Sequence, residues 1–175
     1  MMKRYLAILV ALFAISAHSA WIDADGKPIP DTESMRSAGD FGVQMILTAN
    51  ERQFRQTWNS AKTPPQLTTT NTARLDTSVS ALLIFHGCVP NGAGVCDVVA
   101  EFIVEDPNGK RMPAGGGPLW SGKPIQKKVL QLGQAGMTIG LDNTDPVGDY
   151  KITATVKDKV SGQALSVMSR LKVTK

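Results

Sequence analysis

The most constraining stretch lies near the C-terminus, in "DYKITATVKD" at residues 149–158. Tyr150, Ile152, Ala154 and Val156 alternate there with Lys151, Thr153, Thr155 and Lys157. A period of two places successive side chains on opposite faces of an extended chain, so one face is apolar and the other wet. The pattern recurs in "DFGVQMILT", where Phe41, Val43, Met45 and Leu47 oppose Gly42 and Gln44. It recurs again where Leu165, Val167, Leu171 and Val173 oppose Ser166, Arg170 and Lys172. Val129–Leu132 and Met137–Leu141 are shorter candidates of the same kind. One-sided faces of this type belong to antiparallel sheets with a solvated side.

Two runs are apolar on both faces, "VSALLIF" (Val79–Phe85) and "DVVAEFIVE" (Asp97–Glu105). They read as central strands whose backs are covered. A candidate cover is the single convincing helix, "TANERQFRQTWNS", with capping-box spacing between Thr48 and Glu51 and an i, i+4 pair in Phe54 and Trp58. Pro64-Pro65 stops it, and a Ser/Thr-rich connection runs on to about Ser78. "DPNG" (106–109) and "SG" (161–162) mark reversals. Counted from Phe41, the pattern gives about seven strands, the spacing of a sandwich or small barrel.

The N-terminus sets the compartment. Lys3 and Arg4 precede the apolar run Tyr5 to Ile15, and Ala17-His18-Ser19-Ala20 offers small residues for cleavage. The run falls short of the about 20 apolar residues a membrane span needs. The expectation is a cleaved signal peptide over 1–20 and a single domain over 21–175, periplasmic or secreted, with no membrane anchor after cleavage. Losing Lys3 and Arg4 leaves 17 basic against 15 acidic residues, a net charge of +2. So small a surplus on an exported chain argues against a nucleic-acid partner. A domain of this size buries about 70% of its unfolded surface, enough for a core without metal or several disulfides.

The C-terminal cadence Asp145, Gly148, Tyr150, Val156, Asp158, Ser161, Gly162 resembles the closing hairpin of immunoglobulin-like sandwiches. It is most similar to bacterial surface and macroglobulin-type domains. The resemblance covers about 30 residues well and implies an all-β, antiparallel Ig-like β-sandwich with one short helix. It also implies a tyrosine corner at Tyr150, the ring packed inward and the hydroxyl tied to nearby backbone. Cys88 and Cys96 are too close in sequence for the inter-sheet bridge of antibody domains, and fold analogy by itself licenses no function.

"FHGCVPNGAGVCD" (85–97) holds the chain's two cysteines. In an exported protein they read as a disulfide closing a hairpin loop between the two central strands. Cys96 shares a face with Val98 and Phe102, whereas Cys88 has the parity of Leu82 and Ile84, a difficulty that a bulge hosted at Gly87 could relieve by re-aiming the first cysteine. A second reading is a metal site of His86, Cys88, Cys96 and Asp97, whose ligand types suit zinc or copper but whose spacing matches no strong pattern. A redox pair lacks the C-x-x-C frame.

Catalytic constellations are sparse. His86 is the single histidine after cleavage, no G-x-S-x-G surrounds a serine, and Glu101 and Glu105 fit a solvated sheet surface. "PAGGGPLWSGKP" lacks the phosphate-loop frame, and no cofactor is expected. The same segment reads as a flexible loop in which Trp120 sits beside Arg111, Lys123, Lys127 and Lys128, a candidate partner-contact loop or a connection whose Trp caps the core. Trp21 is either tied to a sheet edge or an exposed donor segment. The preferred function is a non-catalytic exported module contacting another envelope or extracellular protein through its loops. The alternatives are a periplasmic metal-handling protein and an enzyme or enzyme inhibitor using residues 110–124.

Overall fold

The computed structural model describes residues 20–23, 25–60, 66–124 and 129–175. The leader expected over 1–20 falls outside these residues apart from Ala20, as do Pro64-Pro65, Lys127 and Lys128.

Alternation resolves into nine strands and one helix among the described residues: β1 (Met35–Ala38), β2 (Phe41–Thr48), α1 (Glu51–Ser60), β3 (Thr72–Arg74), β4 (Thr77–His86), β5 (Cys96–Glu105), β6 (Arg111–Gly122), β7 (Gln131–Leu141), β8 (Gly148–Asp158) and β9 (Ala164–Thr174). One sheet has the order β1-β2-β4-β7 and the other β3-β9-β8-β5-β6. Every pairing is antiparallel except that of β3 with β9. With β4 beside β7 in one sheet and β9, β8, β5 and β6 in the other, the order is that of an Ig-like sandwich.

The inward residues of both sheets interdigitate in one core. Val79, Ala81, Leu83 and Phe85 of β4 face Val98, Ala100, Phe102 and Val104 of β5, with Ile152, Ala154 and Val156 of β8 beside them. The other face of β4 is apolar because α1 lies on it: Phe54 packs with Leu82, Ile84 and Leu132, and Trp58 lies at the margin. Phe54 and Trp58 stack with ring centroids 6.5 Å apart, as their spacing requires. Among the described residues no helix covers the back of β5, and Val99 and Ile103 there are only half-buried.

The helix is capped two residues later than the Thr48–Glu51 spacing suggests. Thr48 ends β2 and pairs with Ser80, so its backbone is committed to the sheet. Asn50 takes the cap, its Oδ1 accepting the Gln53 N–H at 3.0 Å. Glu51 instead binds Arg55 at 2.7 Å, and Arg55 donates onward to the Gly133 carbonyl of β7 at 3.0 Å. Burial pushes the Glu51 carboxyl up, but hydrogen bonds from Arg55, Ser80 and Thr138 together with the Arg55 charge leave it below the ordinary glutamate value.

Nine strands stand where seven were expected: β1, β3 and β6 are added, and two expected strands merge into one. Val129–Leu132 and Met137–Leu141 are not two strands, because β7 runs continuously from Gln131. Residues 111–122 form an edge strand paired with β5 where a flexible loop was expected. Pro113 and Pro118 are tolerated because β6 has a partner on one side only, and the ladder slips between Val98 and Val99 and between Glu101 and Ile103.

Candidate functional site at the loop end of the sandwich

Strand directions bring three connections to one end of the molecule: residues 87–95 between β4 and β5, 123–130 between β6 and β7, and 159–163 between β8 and β9. The β1–β2 turn at 39–40 joins them, since Gly42 pairs with His86. Of these, the 87–95 connection carries Cys88 and leads into Cys96, the first residue of β5.

The Cys88–Cys96 disulfide is formed, with Cα atoms 6.0 Å apart. It does not close a hairpin, because β4 and β5 belong to opposite sheets. It staples the connection that crosses between them. Both sulfurs lie in the core, Cys96 fully buried and Cys88 nearly so. The parity conflict at Cys88 is resolved past the end of β4, without a bulge at Gly87: that residue takes φ +73° and turns the chain inward. A Cβ there would sit 1.8 Å from the Asp40 carbonyl oxygen, so both conformation and space demand glycine.

Asp158 holds the same connection from the other sheet. Its parity on β8 continues the inward row Tyr150, Ile152, Ala154, Val156, and it is fully buried. Its carboxylate accepts the Val89 N–H at 2.9 Å, the Val160 N–H at 3.0 Å and the Ser161 hydroxyl at 2.8 Å. The Lys159 N–H reaches the Asp97 carbonyl at 2.9 Å, and Lys159 Nζ lies 3.3 Å from the Asp97 carboxylate. Within the loop, the Asn91 side chain accepts the N–H groups of Ala93 and Val95. The 87–95 and 159–163 loops are therefore locked together.

What they present is apolar. Val89 and Val160 are 41% and 38% exposed, and Val129 and Leu130 of the 123–130 connection are 39% and 42% exposed. Ile22, next to the docked Trp21, is also exposed, whereas Val147 lies in the loop before β8 at the opposite end. Exposed aliphatics on an immobilised backbone lose little conformational freedom on contact with a partner. These valines were missed in the sequence because an isolated exposed valine carries no pattern. Asp158 was legible in principle, as an acid on an inward parity that needs several donors.

The other expected site residues are dispersed. Arg111 begins β6 and Lys123 lies just past its end, about 35–40 Å away along the strand. Arg111 faces Glu105, which also binds Lys151 at 2.7 Å. The hydrogen bond from Lys151 holds the Glu105 carboxyl below its usual value, so Glu101 and Glu105 lie on a sheet surface with Glu105 paired. Trp120 is half-buried, edge-on to Phe85 at 5.8 Å, with its indole nitrogen enclosed. Of the three, Lys123 belongs to the loop end, Trp120 lies just inside it against Phe85, and Arg111 lies at the opposite end. Tyr150 is buried and its hydroxyl donates to the Pro146 carbonyl at 2.9 Å, the tyrosine-corner geometry.

His86 is enclosed at the end of β4. The Trp21 ring meets it edge-on at 4.7 Å, and Trp21 Nε1 donates to the Arg36 carbonyl at 3.2 Å. Burial lowers the imidazole below its ordinary value, offset in part by the charge and backbone carbonyl of Asp40. The expected ligand set does not assemble, because the two sulfurs are bonded to each other. Among the described residues no group of three His, Cys, Asp or Glu is placed to hold a metal ion, and no helix is long and apolar enough to cross a membrane.

No family model and no curated protein matches the chain. Similar solved structures share 8–12% identity with it. The CARDB domain of a Pyrococcus furiosus protein, solved with di-metal ions, has 8% identity and a TM-score of 0.41, covering 82% of this chain and 97% of that one. A Niemann-Pick type C2 protein from the Japanese carpenter ant has 12% identity and a TM-score of 0.40, covering 75% and 89%. A family 123 glycoside hydrolase from Clostridium perfringens has 11% identity and a TM-score of 0.42, covering 76% of this chain but 27% of that enzyme. This chain likewise spans 28% of a Pseudomonas fluorescens alkylpurine DNA glycosylase.

Proposed function

We propose that this protein is an exported, non-catalytic Ig-like binding module that contacts another envelope or extracellular protein through the loop end of the sandwich. One observation carries the reading: Val89 and Val160 project from two loops that the disulfide and Asp158 fix to one another. Val129 and Leu130 add two exposed aliphatic side chains at the same end, and Lys123 adds one exposed cation. Export rests on the sequence of the leader, and an oxidised cysteine pair fits an oxidising compartment. The cadence around Tyr150 inclines the assignment toward the bacterial surface or macroglobulin-like type.

A non-catalytic role is supported by the state of the candidate chemical groups. His86 is shielded by Trp21, and Glu105 is engaged by Lys151 and Arg111. A metal-handling role has lost its thiolates to the disulfide.

The test is site-specific photo-crosslinking in the producing cell. A crosslinker at Val160 should capture a discrete partner, and Val89→Asp should abolish that capture. A crosslinker at Val147, exposed at the opposite end, serves as the control. Capture from Val147 alone, or capture from Val160 indifferent to Val89→Asp, overturns the proposal.

A further inference from the structure

Away from the loop end, the chain crosses between the sheets twice on the side where β2, beyond its pairing with β1, and β9, ahead of its pairing with β3, are the facing edges. At the first crossing the Ser34 carbonyl accepts the Met45 N–H of β2 at 2.8 Å, and the adjacent Glu33 carbonyl accepts the Met168 N–H of β9 at 2.7 Å. At the second, the Thr70 N–H donates to Leu47 of β2 at 2.9 Å, and the Asn71 carbonyl accepts the Lys172 N–H of β9 at 2.8 Å. Between the crossings lies an open groove of about 610 Å³.

The groove contains a gap in the hydrogen-bond ladder. On β9, residues 168 and 172 point their N–H groups away from β8, so strand alternation points the N–H and carbonyl of Arg170 the same way. Neither group has a hydrogen-bond partner among the described residues. The Arg170 guanidinium is drawn aside by Glu33 at 3.1 Å, which leaves the main chain open. Met45 and Leu47 are buried residues of the lining and Met168 is half-buried.

We infer that this groove binds a short extended peptide, whose main chain pairs with Arg170 while an aliphatic side chain rests among Met45, Leu47 and Met168. One residue of an extended chain offers an N–H and a carbonyl on the same side, the complement of the vacant rung. A second copy of the sandwich adding a full strand is excluded by the crossings. They leave about 13 Å between residues 168 and 172, room for one rung only. The site is independent of the loop end, and failure of either proposal leaves the other standing.

The test uses 15N-labelled protein. Free, the Arg170 amide should exchange at least tenfold faster than those of Met168 and Lys172. Titration with acetyl-Val-Leu-Val-amide to millimolar concentration should produce saturable shifts at Leu47, Met168 and Arg170. Met168→Trp, which fills the groove, and Arg170→Pro, which deletes the donor, should each weaken binding at least tenfold while the remaining spectrum stays dispersed. Three results overturn the inference: Arg170 exchange as slow as its neighbours, no saturable shift at these amides, or binding unchanged by Met168→Trp.

Discussion

The main-chain N–H of Val89 donates to the buried carboxylate of Asp158 at 2.9 Å, tying a loop that leaves one sheet to the last residue of a strand in the other. The same carboxylate receives Val160 and Ser161. A single side chain thus fixes the relative position of the two valines that the loop end presents.

Replacing Asp158 by Ala leaves these three part-buried donors without the acceptor that the fully buried side chain supplies. An orphaned buried donor costs about 1–3 kcal/mol, so the variant should lose about 3 kcal/mol or more in urea titration. Asp158→Asn turns an amide N–H toward one set of donors and should cost about 2 kcal/mol. A loss below about 0.5 kcal/mol for both would show that the carboxylate does not hold the loops.

The disulfide closes a short loop, its cysteines eight positions apart. Chain entropy for such a loop amounts to about 2.5 kcal/mol. Cys88→Ser with Cys96→Ser should therefore lower Tm by about 5–10 °C while the far-UV spectrum keeps its strand signature. Unfolding of the double variant at room temperature would assign the bridge a larger role than stapling one connection.

Tyr150→Phe removes a hydroxyl that donates to Pro146 and leaves the ring packed. The expected loss is about 1 kcal/mol, read as a lower urea midpoint at unchanged m-value. Tyr150→Ala should cost several times more, because the ring belongs to the core.

His86 predicts a slope of stability with pH. Its folded pKa is depressed below the ordinary value of 6.5, chiefly by burial. The unfolded chain therefore binds more protons, and stability falls as pH drops from about 6.5 through the folded pKa. The slope from this one group is at most about 1.4 kcal/mol per pH unit. His86→Gln should flatten the urea midpoint between pH 7 and pH 5 relative to the parent. An identical slope in both proteins would assign it to the carboxylates.

The elements that sequence reading located are those whose signal is local. Tyr150 to Val156 alternates because β8 has one wet and one dry face, and Phe41 to Leu47 keeps the same inward parity although Gly42 is also buried and Ile46 packs against the helix cluster. Phe54 and Trp58 pair because a helix brings i and i+4 together. β6 was hidden because its prolines and glycines are ordinary loop residues, acceptable in a strand only when one edge is free. β1 and β3, at four and three residues, are too short to show a period.

The alternation of apolar and polar residues, by itself, determined an antiparallel all-β fold with a helix laid on one strand, because periodicity is a property of neighbours along the chain. A chain with two cysteines has a single possible intramolecular pairing, and that pairing is formed. Tertiary structure alone decided that the bridge spans two sheets, that Gly87 turns Cys88 inward, and that Val89 and Val160 share one end. It also decided that Arg170 faces a gap between two crossings. Each of these depends on which strand lies beside which, a relation between residues up to a hundred positions or more apart that no local pattern encodes.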